Sequence, residues 1–138
     1  MAKDLIKEGT FNQKREVRMM VCRLPFALAG AVTETFKIAK LPGNALITNA
    51  YFFNTVQSNA ATTDVLIMGT TENGSQIVSA GDAKVAGKTG TAAAMQNTGT
   101  GVDVWVKHTV TGAKTAGETV AVIEYLELDK TNGEYTQY

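Results

Sequence analysis

One cysteine (Cys22), one histidine (His108), two prolines and no long apolar run set the first limits on this chain. A single thiol cannot form an intrachain disulfide, so the chain makes no use of an oxidising compartment, which fits cytosolic folding. No stretch approaches the ~20 apolar residues that a membrane helix requires. The opening Met1-Ala-Lys-Asp4 lacks the apolar segment of a secretory signal. These absences lead to the expectation of a soluble intracellular product. An excess of one charge is missing too: 13 Lys and Arg balance 13 Asp and Glu. No strong pull toward nucleic acid or an anionic membrane is therefore expected.

The balance hides an asymmetry. Residues 1–40 hold eight Lys/Arg against four Asp/Glu, and residues 41–138 hold five against nine. An N-terminal segment of one copy could lie against an acidic face of a neighbour, although solvated surface charge explains the same pattern. What the chain does have is Thr, Ala, Gly and Val, the make-up of short strands joined by small-residue turns. At 138 residues it forms one domain with room for a real core.

Strand signals follow one another from residue 16. Glu16–Leu24 alternates, with Val17, Met19 and Val21 on one parity and Arg18, Met20, Cys22 and Leu24 on the other, and Pro25 ends it or marks an edge. Phe26–Val32 is short, apolar and open to either helix or strand. In Thr35–Leu41, Phe36 and Ile38 oppose Thr35, Lys37 and Ala39. Pro42-Gly43-Asn44 is a turn in which Pro presets φ and Gly supplies φ > 0. Ala45–Val56 is apolar on both parities, with Leu46, Phe52 and Val56 facing one way and Ile47, Tyr51 and Phe53 the other. Thr62–Met68 reads as a short buried strand closed by the hairpin signal Asn73-Gly74. Ser75–Ala80 reads as a strand or one helical turn, and Gly81–Gly101 as a long Gly/Ala/Thr-rich loop with limited ordering.

The organising stretch is Gly101–Leu128. Val102, Val104, Val106 and Val110 alternate with polar residues, as in a half-buried antiparallel strand. Glu118–Leu128 is apolar on both parities, as in a strand covered on both sides. Joined by Thr111–Gly117, the two predict a β-hairpin with a longer loop. About seven or eight short strands without a repeat give an all-β fold, an antiparallel β-sandwich of jelly-roll type. The expected layout is an irregular arm over 1–15 and one sandwich domain over 16–138.

Few residues suggest reaction chemistry. His108 reads as a hydrogen-bonded or partly exposed strand residue, and Cys22 as a small buried hydrophobe. Gly87-Lys88-Thr89 falls short of a phosphate loop, because Asp82 stands where the first glycine is needed. Glu124 and Glu127 lie on opposite faces of one strand, and Glu124 reads as a partner for Lys or Arg across a sheet or a subunit boundary. No catalytic residue, cofactor or metal ligand is expected. The surplus is aromatic and apolar, the residue classes favoured at the buried centre of interfaces. Candidate interface residues are Leu5, Ile6, Phe11, Lys14 and Arg15 in the arm, with Tyr51, Phe53, Trp105 and Tyr125 on strands.

Three stretches carry a family likeness. Lys40-Leu41-Pro42-Gly43-Asn44-Ala45 leads into a long apolar strand reaching Tyr51. Ile67-Met68-Gly69-Thr70 is followed by an acidic/Asn/Gly turn and an Ala/Gly-rich middle. Thr115-Ala116-Gly117-Glu118 leads into Val120–Leu126. Over roughly residues 35–128 this order resembles the small jelly-roll decoration (cement) and related structural proteins of tailed-phage virions. The resemblance implies a non-enzymatic protein on the exterior of an icosahedral shell, assembled in the host cytoplasm. Its partners would be the major capsid protein and itself, as a homodimer or homotrimer, with no nucleic acid and no membrane. A tail or head-fibre component, or a carbohydrate-binding jelly roll using Trp105, are the competing readings.

Overall fold

The computed structural model describes residues 17–24, 32–93 and 95–128. The expected arm, the Phe26–Ala31 part of the undecided segment and residues 129–138 fall outside them, and so do Leu5, Ile6, Phe11, Lys14 and Arg15. All the regular structure described is strand: β1 (Val17–Arg23), β2 (Val32–Leu41), β3 (Ala45–Val56), β4 (Thr63–Gly69), β5 (Val78–Asp82), β6 (Gly87–Thr89), β7 (Thr91–Ala92), β8 (Gln96–Asn97), β9 (Val102–Thr111) and β10 (Glu118–Glu127).

Two antiparallel sheets result. Sheet A runs β1-β10-β3-β6, with β8 also on β3, and sheet B runs β2-β9-β4-β5-β7. The pairing is nested: β1 with β10, β2 with β9, β3 with β6 and β8, and β4 with β5. A long two-stranded ribbon, doubled back at the β4–β5 connection and rolled up so that successive strands alternate between sheets, has this order. It is the jelly-roll order expected from the strand count. The sheets meet over one core, to which Ile47, Phe52 and Ile123 contribute from sheet A and Leu66, Met68, Val104 and Val106 from sheet B.

Several local expectations are corrected. β9 and β10 do not form a hairpin; they lie in different sheets. Each is a central strand, β9 bonded to β2 and β4 and β10 to β1 and β3, so neither has a free edge for the other. Residues 112–117 cross between the sheets instead. Asn59 holds that crossover: its Oδ1 accepts from Thr115 N at 2.9 Å and Ala116 N at 2.8 Å, and its Nδ2 donates to Thr115 Oγ1 at 2.7 Å. Gly117 sits in it at φ +143°, where a Cβ would come within 2.8 Å of Lys114 Cε.

Bulges change the facing of two strands. The β3–β10 register shifts between Glu124 and Tyr125, so Ile47 and not Leu46 shares the core side with Phe52. The β2–β9 register shifts at Ile38, which brings Ala39 against the core together with Ile38. An extra residue on one strand reverses the parity beyond it. In the Pro42 turn the positive φ (49°) belongs to Asn44. Gly43 is required for space, since a Cβ there would meet the Thr100 carbonyl carbon at 3.2 Å. Asn73 likewise takes φ 65° in the wider β4–β5 connection over residues 70–77. The Gly/Ala/Thr-rich stretch is better ordered than expected: β6 and β8 extend sheet A and β7 extends sheet B. Backbone hydrogen bonds achieve this with little help from side-chain bulk.

Candidate functional site

The outer face of sheet A is the most distinctive surface. On β1, Met20 and Leu24 turn to the core, which leaves Val17 (63% exposed), Met19 (55%) and Val21 (59%) in solvent. The register extends this row across the sheet. Val21 lies beside Val122 and then Tyr51, Val17 beside Leu126 and then Leu46, and Arg23 beside Val120 and then Phe53. Phe53 is partly exposed as well, at 42%. Isolated exposed apolar residues are normal on a soluble protein, but a contiguous apolar patch marks a contact surface. Lys88 of β6 borders the patch with its Nζ 4.9 Å above the Tyr51 ring, and Glu124 stands within it, between Met19 and Asn49.

Sheet B presents a different exterior. Trp105, Lys107 and Thr109 of β9 lie between Lys37, Thr35 and Thr33 of β2 and Gly69, Ile67 and Val65 of β4, and Lys37 Nζ pairs with Asp103 Oδ2 at 3.0 Å. Of the expected interface residues, the fold therefore brings Tyr51 and Phe53 together, places Trp105 on the opposite exterior, and turns Tyr125 inward against the core. Val17, Met19, Val21 and Val122 complete the face. Both parities of β1 are apolar, so its sequence did not reveal which one faces solvent.

A second feature is interior and polar. Asp64 of β4 and His108 of β9 both point into the sandwich, 1% and 3% exposed. His108 Nε2 hydrogen-bonds Asp64 Oδ1, and Lys114 Nζ, from the crossover, pairs with Asp64 Oδ2 at 2.6 Å. Burial by itself raises the Asp64 pKa. Hydrogen bonds from His108, Lys114 and Ser58 outweigh that effect and hold it at about 2, against 3.8 ordinarily. Nearby, Thr119 Oγ1 donates to Asn54 Oδ1 at 2.6 Å, while Asn54 Nδ2 donates to the carbonyls of Asp82 at 3.0 Å and Val85 at 2.7 Å.

A cavity of about 340 Å³ opens above this cluster, between His108, Lys114 and Thr119 on one side and the Arg23–Glu118 ion pair on the other. The Thr119 hydroxyl is committed to Asn54 and the Asp64 carboxylate to His108, Lys114 and Ser58. The arrangement fixes the crossover against β4 and β9. Among the described residues, no group of three or more His, Cys, Asp or Glu side chains is placed to hold a metal ion. No described helix is long and apolar enough to cross a membrane. Glu127 pairs with Arg18 at 2.8 Å, and Glu124 has no ion pair among the described residues.

The class these features define is a jelly-roll sandwich with one apolar exterior face. No protein-family model and no curated protein matches the chain. Among solved structures it is similar to a chain of the cyanophage Pam1 capsid asymmetric unit, with a TM-score of 0.54 and 13% identity over 84% of this chain and 86% of that one. At that identity the likeness shows a shared fold, and the two coverages make the chains similar in length.

Proposed function

We propose that this protein is a structural component of a phage virion, bound to the outer surface of the icosahedral capsid and stabilising it by bridging major capsid subunits. The observation that carries the reading is the likeness, along nearly the whole of both chains, to a chain of similar length in a phage capsid asymmetric unit. The contiguous apolar face of sheet A fits it, because a protein that takes part in a multi-subunit assembly needs contact surface of that kind. The role is non-enzymatic. A single standard interface offers about 800 Å² per partner. An oligomer that touches several shell subunits gains avidity of roughly 10² or more over one site.

Co-sedimentation with purified shells lacking the protein tests this. Saturable binding at a ratio set by shell symmetry, with a raised shell melting temperature, is the expected result. Protein left in the supernatant at saturating shell concentration contradicts it. A tail or head-fibre position would show as binding to whole virions but not to isolated shells.

A further inference from the structure

We infer that the outer face of sheet A packs against the same face of a second copy of this chain, across a two-fold axis passing over Tyr51. Three observations converge on a copy as the occupant. The first is the apolar continuity of the face from Val17, Met19 and Val21 through Val122 to Tyr51 and Phe53.

The second is charge. The face carries Glu124 inside the apolar field and Lys88 on its border, and neither has an ion pair among the described residues. The register places them symmetrically. Glu124 lies opposite Asn49 of β3 and Lys88 opposite Phe53 of β3, while Tyr51 is halfway between Asn49 and Phe53 on the strand that separates β10 from β6. The two charges are thus about 10 Å apart across the strands and about 13 Å along them, with Tyr51 at the midpoint. An isologous pair brings residue i of one copy to residue j of the other and j to i. A two-fold axis that lies in the interface plane, passes through that midpoint and runs perpendicular to the line joining the two charges sets Glu124 of each copy against Lys88 of the other and brings the two Tyr51 rings together near the axis. An unrelated partner would need to supply both complements; a second copy has them by symmetry.

The third observation is size. The four strands, of 7, 10, 12 and 3 residues, give at their usual rise and spacing a face of about 500 Å² in flat projection. Side chains raise the accessible area above the projection, toward the ~800 Å² per partner of a standard interface.

The inference does not depend on the capsid reading, and the experiment needs no shells. Sedimentation velocity of the full chain alone, from about 1 to 200 μM, should show a dimer that dissociates on dilution. Glu124→Lys and Lys88→Glu should each weaken it about tenfold, because each removes two attractive contacts and creates two repulsive ones. Combining both changes in one chain should restore the affinity to within about threefold of the parent. Tyr51→Asp should abolish dimerisation while melting stays cooperative, and Lys107→Glu on the sheet B exterior should leave dimerisation unchanged. A full chain that is monomeric throughout the range, or a double variant weaker than either single one, would overturn the inference. So would an oligomer indifferent to Tyr51→Asp.

Discussion

The two ends of the sandwich interior are held in different ways. At the end near the Pro42 turn the inward residues are apolar: Leu41, Ile47, Met68, Val104 and Ile123, all nearly or fully buried. At the other end, where β4 and β10 begin and β9 finishes, Asn54, Asp64, His108 and Thr119 point inward beside a small Val110–Ala60 apolar cluster, joined by Lys114. The first end depends on area removed from water, which tolerates small changes of shape. The second depends on its buried charges being paired, because a buried charge without a partner is far more costly than a cavity. The difference teaches why the crossover between β9 and β10 can be a loop without a strand of its own. Lys114 reaches from it into the sandwich and is neutralised there by Asp64.

Substitutions should separate the two ends, beginning with the largest effect. Val104→Asp puts an unpaired carboxylate in the apolar end and should abolish cooperative melting; a native melting temperature would show that this end accepts charge. Asp64→Ala leaves Lys114 and His108 buried without their carboxylate and should cost roughly 3–5 kcal/mol in urea denaturation. If it cost no more than a surface substitution, the polar end would be incidental to stability.

Acid should act on the polar end through Asp64. The Asp64 pKa is lowered from 3.8 to about 2, so its stabilisation is complete above the unfolded value and is lost as pH falls from about 4 through 2. The total is on the order of 2 kcal/mol. Urea midpoints of the parent should fall across that window, and those of Asp64→Asn should fall less. Equal slopes would place the acid sensitivity elsewhere. The smallest effect belongs to Asn59→Ala, which removes three hydrogen bonds at the base of the crossover. It should lower stability by about 1–2 kcal/mol without altering the acid window.

How far these features were legible in the sequence depends on what each required. The span of β3 was legible to the residue, because the Pro42 turn opens it and apolar residues recur on both parities as far as Val56. Its facing was not, since one bulged residue reverses parity. The alternation of β9 stated correctly that Val104 and Val106 point inward, yet alternation encodes facing and never the identity of the neighbouring strand. The hairpin expectation failed for that reason. β6, β7 and β8 were illegible because small residues there follow backbone pairing set by β3 and β5. Tyr51 and Phe53 were singled out by their residue class, and the structure places both on the outer face of sheet A. The Asp64–His108 contact joins residues 44 positions apart, and no local pattern announces it.

One image tests the proposed virion role most directly. A symmetric reconstruction of shells saturated with the purified chain should show its density on the outer surface, at sites spanning more than one capsid subunit. Bare shells under the same conditions, or density confined to the tail, would contradict it.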